Sequence, residues 1–367
     1  MKPPGARIPF ADLHLTEESA DVADAIRRVI DRAWFVLGPE VETFEREFAL
    51  ASGSPHAVGV GNGTDALALV LRALGIGAGD EVITTPLSAA YTAMAIVMAG
   101  ARPVFADIDP ERLTLDPAAA ERAITERTVA LLPVHLYGQP ADLPSLAALA
   151  RRKGLVLVED CCQAHLATCE GQPVGTFGVA GAFSFYPTKN LGALGDGGAV
   201  ITRDPALADR IRRLRNGGQT DRYHHVEMGV NSRLDEMQAA ILRARLPLLA
   251  QRTSRRRLLA GMYRTMLADS TVAIPREMDP GHVYHLFPVK VRRRTALQDR
   301  LLASGIETLV HYPIAISQQP AFVATNPANC PEAVRAANEV LSLPLYPSLS
   351  IEAVQLVAEV VRKEQSS

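Results

Sequence analysis

Short apolar runs alternate with longer amphipathic segments along the first two thirds of the chain. The apolar runs predict strands over residues 81–85, 104–107, 129–134 and 155–159. The longer segments carry apolar residues at helical spacing and predict helices after Thr16, from Gly38 to Gly53, over 64–74, before Gly100, after Asp116, over 142–153 and after Asp204. Because strands and helices alternate in this way, we predict an α/β fold, a three-layer sandwich around a mainly parallel sheet.

Several predicted helices carry recognisable end signals. Asp116 and Asp204 each precede a proline, which is the pattern of an N-cap followed by proline at the first helical position. Gly75 and Gly154 follow predicted helices at the position where a left-handed residue closes the last turn. These signals support the predicted helix boundaries independently of the apolar spacing.

The alternation weakens near residue 249. An Arg-rich helix follows, then a strand over 283–291 and helices over 295–303, 331–341 and 351–362. We therefore predict two units: an N-terminal segment and large cofactor-binding domain over residues 1–249, and a smaller C-terminal α/β domain over residues 250–367.

Composition limits the partners and the compartment. The 367 residues are 48% hydrophobic and 21% charged with a net charge of −2, which is typical of a globular enzyme and disfavours nucleic acid as a partner. The sequence has no signal-peptide pattern and no apolar run long enough to span a membrane. The four cysteines lack ligand-like spacing, so we expect no metal site, no disulfide framework and a cytoplasmic location.

One lysine stands out within residues 181–200, between an apolar run and a glycine-rich run. Burial near residues such as Phe183 would favour the neutral amine of Lys189, which is a nucleophile for aldehydes. Asp160 directly follows the predicted strand 155–159, where strand ends line the ligand crevice of an open α/β sheet. The alternatives are a surface lysine and a solvated strand-end acid. Together the two residues suggest a pyridoxal phosphate site, in which the carboxylate pairs with the pyridinium nitrogen.

A glycine-rich turn over residues 59–65 precedes the helix predicted over 64–74. Backbone amides at a helix N-terminus bind phosphate, and glycine allows close approach of the anion. The alternative is a tight turn capped by Asn62 or Thr64. The Gly-x-Gly-x-Gly spacing differs from that of dinucleotide-binding turns and P-loops, which disfavours a nicotinamide dehydrogenase.

Other polar residues near these motifs suggest further roles. Gln163 could bond a phenolic oxygen, and Ser184 could add a hydroxyl group to a phosphate site. We expect His165 to be structural, and the polar turn over 229–235 has the simple alternative of a helix cap. The residues 311–312 lie in a Pro-bounded loop that could form a lid or a substrate wall.

These motifs, in this order, resemble the DegT/DnrJ/EryC1/StrS group of sugar aminotransferases, which are fold type I pyridoxal phosphate enzymes. The resemblance covers almost the whole chain. The motifs that carry it most clearly are Gly63-Thr64-Asp65-Ala66-Leu67, Glu159-Asp160, Gln163-Ala164-His165, the segment 181–200, Asn231-Ser232-Arg233-Leu234-Asp235 and His311-Tyr312-Pro313.

The resemblance implies roles for the cofactor site. Lys189 forms the internal aldimine with pyridoxal 5'-phosphate, Asp160 pairs with the pyridine nitrogen, and Gln163 pairs with the ring hydroxyl. The residues implied to bind the phosphate are Gly63, Thr64, Asp65 and Ser184, with Asn231 reaching the phosphate of the neighbouring subunit. The last of these roles implies a homodimer with shared active sites.

The resemblance also implies the reaction. Glutamate is the usual amino donor, and a nucleotide-linked keto sugar is the usual acceptor. The segment around Lys189 is most similar to members that aminate the C3 ketone of dTDP-linked deoxysugars, and we expect Tyr186, His311 and Tyr312 to contact the substrate. The alternatives are an aminotransferase of a cyclitol ketone in aminoglycoside synthesis and a non-catalytic regulator. A dehydratase branch that replaces the lysine with histidine is disfavoured by Lys189.

Several positions depart from the family pattern, among them Ala89 and the pair Cys161-Cys162. The family has an aromatic ring stacked on the cofactor where this chain has Ala89, so either that face is thinly packed or another ring, such as Tyr91, replaces it. The usual Ala-Ala after the aspartate is Cys161-Cys162 here. We expect Cys162 to pack as a small hydrophobe against the opposite face of the ring.

Overall fold

The computed structural model describes residues 8–15, 17–323 and 329–363. Its strands are β1 (His56–Val60), β2 (Glu81–Thr84), β3 (Arg102–Phe105), β4 (Thr128–Leu132), β5 (Val156–Asp160), β6 (Thr168–Cys169), β7 (Gln172–Pro173), β8 (Ala180–Ser184), β9 (Gly198–Thr202), β10 (Gln219–Asp221), β11 (His224–His225), β12 (Phe287–Lys290) and β13 (Val340–Leu343). Its α-helices are α1 (Ser19–Arg32), α2 (Pro39–Ala51), α3 (Gly63–Ala73), α4 (Tyr91–Met98), α5 (Pro117–Arg122), α6 (Leu143–Lys153), α7 (Pro205–Leu214), α8 (Glu236–Arg245), α9 (Leu249–Met266), α10 (Arg294–Ala303), α11 (Pro320–Val323), α12 (Pro331–Glu339) and α13 (Ile351–Lys363). Thr16, where we predicted the first helix to start, lies outside the described residues.

Seven strands form the central sheet, in the order β1-β9-β8-β5-β4-β2-β3. The neighbours from β8 through β3 run parallel, whereas β9 is antiparallel to both β1 and β8. The prediction of a mainly parallel sheet is therefore confirmed. The reversed strand β9 was not predicted, because it follows a glycine-rich run that has little strand character.

Alternation of side chains along the strands gives the sheet two buried faces. Val82 and Leu132 lie in a core shared with α3, α4 and α7, while Ile83 and Leu131 lie in a core shared with α5 and α6. Successive residues of a strand point to opposite faces, so a strand that is apolar throughout needs helices on both sides. The result is the predicted three-layer α/β arrangement.

The capping residues predicted from the sequence lie at the ends of helices in the structure. The side chains of Asp116 and Asp204 accept hydrogen bonds from backbone amides in the first turns of α5 and α7. Gly75 and Gly154, with φ of 78° and 67°, follow α3 and α6 in the left-handed region. Local capping chemistry therefore fixes the ends of the helices that surround the sheet.

The C-terminal third packs around a separate hydrophobic core. Tyr263, Phe287, Leu301 and Val357 belong to this core, which β12 and β13 cross as an antiparallel pair. Ile8 joins it from the N-terminal segment, through a parallel bridge to Ile306. The helix predicted over 331–341 ends at Glu339, and the chain continues as β13. The domain boundary at residue 249 stays a prediction.

The helix α1 packs on α8 through a narrow apolar stripe. Val22 and Val29 are buried, whereas Ile30 is 54% exposed. Among the described residues, no helix combines the length and the apolar character that crossing a membrane would require.

Candidate active site

Asp160 ends β5 at the carboxyl edge of the sheet, and only 4% of it is exposed. Its Oδ2 accepts a hydrogen bond from Thr92 Oγ1 at 2.7 Å, and its Oδ1 accepts one from the Cys162 backbone amide at 3.0 Å. A hydrogen bond to each oxygen restricts the rotation of the carboxylate about its last bond. Asp160 is thus held in a defined orientation at the predicted ligand crevice.

The preceding residue, Glu159, is part of a buried polar network. Its carboxylate accepts hydrogen bonds from three backbone amides within 175–178, at 2.7 to 2.8 Å, and lies 3.1 Å from His135 Nε2. His135 Nδ1 accepts from the Ala141 amide, so Nε2 carries the proton that is shared with Glu159. Cys161 Sγ and one ligand atom each of His135 and Glu159 lie within 4.8 Å of one another, but backbone amides already donate to both Glu159 oxygens. The network therefore supports the end of β5 beside Asp160.

Lys189 lies in the loop between β8 and β9, and its side chain is half-buried in the crevice. Burial lowers the pKa of the Lys189 amine, and the nearby Cys162 and Asp160 oppose this shift. The backbone amide of Lys189 donates to the Tyr186 carbonyl at 2.8 Å, which fixes the loop. The structure therefore brings Lys189 and Asp160, 29 residues apart in sequence, to one site.

The glycine-rich turn reaches the same site at the start of α3. A Cβ placed on Gly63 would lie 2.7 Å from Cys162 Sγ and 2.8 Å from Ser184 Cβ. This contact brings the turn, the Asp160 loop and the end of β8 together. The first amides of a helix have no intrahelical partner, so those of Gly63 and Thr64 suit an anion next to Ser184.

Asp65 has a different role in this turn. Its backbone amide donates to Asn62 Oδ1 at 2.8 Å, so Asn62 is the N-cap of α3. Its carboxylate accepts from Ser232 Oγ at 2.6 Å and from Asn62 Nδ2 at 3.0 Å. The described contacts of Asp65 fasten the turn to the loop before α8, and its binding of phosphate stays a prediction.

Gln163 connects the crevice to the 311–312 loop. Its Nε2 donates to the Tyr312 hydroxyl at 3.1 Å, and its Oε1 accepts from the Tyr137 amide at 2.7 Å. The Tyr137 hydroxyl in turn donates to the His311 carbonyl. Burial raises the pKa of Tyr312 to about 12, so its hydroxyl remains protonated at neutral pH. The structure therefore places the predicted substrate residues next to the predicted cofactor residues.

A cavity of about 470 Å³ opens beside Lys189. Tyr186, His311 and the N-terminal segment 10–14 line it near the lysine. Arg252 and Arg245 also line the cavity and form ion pairs with Glu18, at 2.6 and 3.3 Å. The cavity thus combines aromatic and basic groups next to a reactive amine.

Three predicted residues lie apart from this cluster or lack the predicted feature. Asn231 is exposed and forms a bridge with Asn216, and no described contact joins it to Lys189 of its own chain. Ala89 lies half-buried in the loop before α4, and Tyr91 is 63% exposed. No buried ring therefore replaces the missing aromatic residue from within α4.

His165 is fully buried, as expected of a structural histidine. Its ring lies 5.6 and 5.7 Å from the rings of Phe183 and Phe185, measured between centroids. Burial lowers the pKa of His165 to about 3. The imidazole is therefore neutral under ordinary conditions.

Sequence reasoning missed two groups at the site. Thr92 contacts Asp160, and its signal was a lone hydroxyl residue within the otherwise apolar residues 92–98. Arg245 and Arg252 line the cavity, but arginines in an amphipathic helix are usually solvated. Neither group has a motif of its own, since each depends on tertiary placement.

The residues at this site fit pyridoxal phosphate. Gly63 packs directly against Ser184, so the first backbone amides of α3 and the Ser184 hydroxyl lie together and suit a phosphate group. The oriented Asp160 carboxylate suits a protonated ring nitrogen, and the Gln163 amide suits a ring oxygen. The Lys189 amine suits an aldehyde.

Comparisons with known proteins agree with this chemistry. The model of the DegT/DnrJ/EryC1/StrS aminotransferase family matches residues 16–362. The dTDP-3-amino-3,4,6-trideoxy-alpha-D-glucose transaminase of Streptomyces venezuelae is 47% identical, over 97% of this chain and 96% of that protein. A protein of Geobacillus stearothermophilus named Pleiotropic regulatory protein is 45% identical, over 95% of this chain and 96% of its own length.

Solved structures show the same likeness. The crystal structure of S. venezuelae DesV in complex with a ketimine intermediate has a TM-score of 0.95 and 47% sequence identity. The match covers 99% of this chain and 100% of that chain. The similarity therefore extends over the fold, the crevice and the C-terminal third together.

Proposed function

Because the chain belongs to the DegT/DnrJ/EryC1/StrS aminotransferase family, we propose that it transfers an amino group from glutamate to a nucleotide-linked keto-deoxysugar. The chain is a pyridoxal phosphate-dependent aminotransferase, as its sequence predicts. The acceptor that we favour is the C3 ketone of a dTDP-linked hexose. The observation that carries this choice is the 47% identity, over almost the full length, to a transaminase of a dTDP-linked 3-amino sugar.

Each residue of the crevice has a proposed role in binding the cofactor. When bound, pyridoxal phosphate supplies an aldehyde for the amine and a ring that accepts electrons. Asp160 would pair with the ring nitrogen, and Gln163 would donate to the ring oxygen. The residues proposed to hold the phosphate are Gly63, Thr64 and Ser184, with Asp65 supporting the turn.

Lys189 would act in two ways. Its amine holds the cofactor in the resting enzyme, and Nζ then moves the proton at the substrate carbon that gains or loses the amino group. The lowered pKa of Lys189 supports this role, because a neutral amine is both nucleophile and base. Asp160 and the burial of the crevice keep the reacting atoms oriented and away from water.

The cavity next to Lys189 suits a nucleotide sugar. Tyr186 and His311 flank the lysine, where the sugar would lie, and Tyr312 stands next to Gln163. Arg245 and Arg252 share one carboxylate partner, Glu18, so this part of the cavity lining has two guanidinium groups for one carboxylate and suits an anionic diphosphate. A nucleotide-linked sugar uses both features, whereas a free cyclitol ketone has no group for the arginines.

We further propose a cytoplasmic homodimer with shared active sites. Large apolar side chains are exposed at 34–36, and Met228 is 84% exposed. Exposed apolar groups of this size mark interaction surfaces. Asn231 lies near Met228 in sequence and is free of the site in its own chain, which agrees with a role in the site of a second copy.

A non-catalytic regulator on the same scaffold is the second candidate, since one close relative is named a regulatory protein. The intact pair of Lys189 and Asp160 in a built crevice favours catalysis. A non-catalytic role does not require a lysine of lowered pKa close to an oriented carboxylate, whereas amino transfer requires both.

The test is a single-turnover experiment on the purified protein reconstituted with pyridoxal phosphate. We expect a visible absorption band that bleaches when glutamate is added and returns when a dTDP-linked 3-keto sugar is added. A panel with UDP-linked sugars, 4-keto sugars and a cyclitol ketone identifies the acceptor. A band that bleaches and is restored only by the cyclitol would reject the nucleotide sugar. A protein that never develops the band would support the regulator.

A further inference from the structure

We infer that Thr92 is a positioning residue that fixes the Asp160 carboxylate toward the ring nitrogen of the cofactor. The inference rests on the proposed function, in which Asp160 pairs with that nitrogen. Thr92 belongs to α4, and only 2% of it is exposed. Its hydroxyl donates to Asp160 Oδ2 at 2.7 Å, across 68 residues of sequence.

The Thr92 hydroxyl bonds an acceptor outside its own helix. A threonine inside a helix commonly bonds the carbonyl one turn back, which satisfies the hydroxyl locally. Thr92 instead bonds a carboxylate at the end of a strand. The other residues of α4 after it are apolar, so a hydroxyl at this position has no role in the packing of the helix.

The Thr92 hydroxyl and the Cys162 amide each donate a hydrogen bond to a different oxygen of the Asp160 carboxylate. The amide belongs to the backbone and is present with any residue except proline at position 162. The Thr92 hydroxyl is therefore the side-chain donor that sets the rotation of the carboxylate about its last bond. A hydrogen bond to each oxygen leaves one orientation for both.

The surroundings of Asp160 include several titratable groups. Lys189 interacts with it from the loop after β8, and Tyr312 interacts with it from the C-terminal third. The thiols of Cys161 and Cys162 lie next to it in sequence and interact with it as well. Thr92 is not titratable, so its removal changes the carboxylate without adding or deleting a charge.

Thr92→Val replaces the hydroxyl with a methyl group of similar size. We expect the variant to bind pyridoxal phosphate about 10- to 150-fold more weakly, because hydrogen bonds to charged groups contribute at that level. We also expect the pH midpoint of its visible absorption band to move away from that of the wild type. Thr92→Ser keeps the donor, and we expect it to restore both properties to within about threefold.

Thr253→Val is the matched control. Thr253 is also buried and helical, but its hydroxyl has no hydrogen-bond partner among the described residues. We expect it to leave cofactor affinity and the pH midpoint unchanged. In an Asp160→Asn background, Thr92→Val should shift neither property further, since the two residues act as a unit.

The outcomes separate this inference from the proposed function. A wild-type protein that lacks the visible band rejects the proposed function before Thr92 is considered. A wild type with the band, and Thr92→Val with wild-type affinity and pH midpoint, overturns the inference alone. Equal effects of Thr92→Val in the wild-type and Asp160→Asn backgrounds also overturn it, because they indicate a packing defect. If Thr92→Val does not fold, the comparison of Thr92→Ala with Thr92→Ser decides by the same criteria.

Discussion

Replacing Gly63 with alanine places a methyl group where the phosphate turn meets the floor of the crevice. The new Cβ would lie 2.7 Å from Cys162 Sγ and 2.8 Å from Ser184 Cβ, and 3.3 Å from Ser184 Cα. These distances are well below the 3.5 to 4.0 Å at which carbon atoms pack. The φ angle of Gly63 lies outside the left-handed region, so alanine is excluded by space and not by backbone conformation.

The free-energy cost of Gly63→Ala depends on which atoms must shift to admit the new methyl group. Ser184 is the last residue of β8, so its Cβ shifts only with the strand, whereas the Cys162 side chain can rotate. Inserting a methylene or methyl group into a packed site costs about 1–3 kcal/mol. Because the displaced atoms are those that surround the phosphate, we expect a loss of about 5- to 150-fold in the affinity for pyridoxal phosphate.

Absorbance titration of the apo-protein with pyridoxal phosphate measures this effect. Gly261→Ala in α9 is the control, because its Cβ would meet nothing within 4 Å and alanine favours a helix by about 0.5–1 kcal/mol. We expect Gly261→Ala to bind the cofactor normally and to unfold at equal or higher urea. Wild-type affinity and stability in Gly63→Ala would refute the packing argument.

Three further predictions concern the same region. Lys189→Ala should bind the cofactor without covalent attachment, so dialysis should remove it and leave no visible band; retention of the band would mean that another amine reacts. Tyr312→Phe removes the partner of Gln163 Nε2 at 3.1 Å, and we expect a shift in the visible spectrum of the bound cofactor, with stability changed by about 1 kcal/mol at most. The folded pKa of His165, about 3, lies below the unfolded value of about 6.5, so the unfolded chain binds more protons between these values. Stability in urea should therefore fall as pH decreases from about 6.5 toward 3, and His165→Phe should flatten that fall.

The reacting residues were accessible from the sequence because local signals coincide with their tertiary positions. Asp160 follows an apolar strand, and the carboxyl ends of parallel strands share one edge of the sheet. Lys189 lies between apolar and glycine-rich runs, and such runs fold into the same crevice. Gly63 precedes the helix predicted over 64–74, and in the structure it is the first residue of α3 and packs against Ser184.

The features that sequence reasoning missed depend on contacts between distant segments. Thr92 has meaning only once α4 packs beside β5, and no spacing rule connects residues 92 and 160. Residues 340–341, the first two of β13, were predicted as the end of a helix, because they continue the apolar pattern of α12. Pairing with β12 decides their conformation. The proposed role of Asn231 depends on contacts with a second copy of the chain, and the sequence of one chain does not specify those contacts.

Amino transfer by the reconstituted protein is the direct test of the proposed reaction. Labelled glutamate nitrogen is followed into a dTDP-linked 3-keto-6-deoxyhexose, with Lys189→Ala as the inactive control. We expect the wild type, and not the variant, to form a dTDP-linked 3-amino sugar that carries the label. A wild type that binds pyridoxal phosphate, bleaches with glutamate and aminates no nucleotide-linked keto sugar would contradict the proposed reaction.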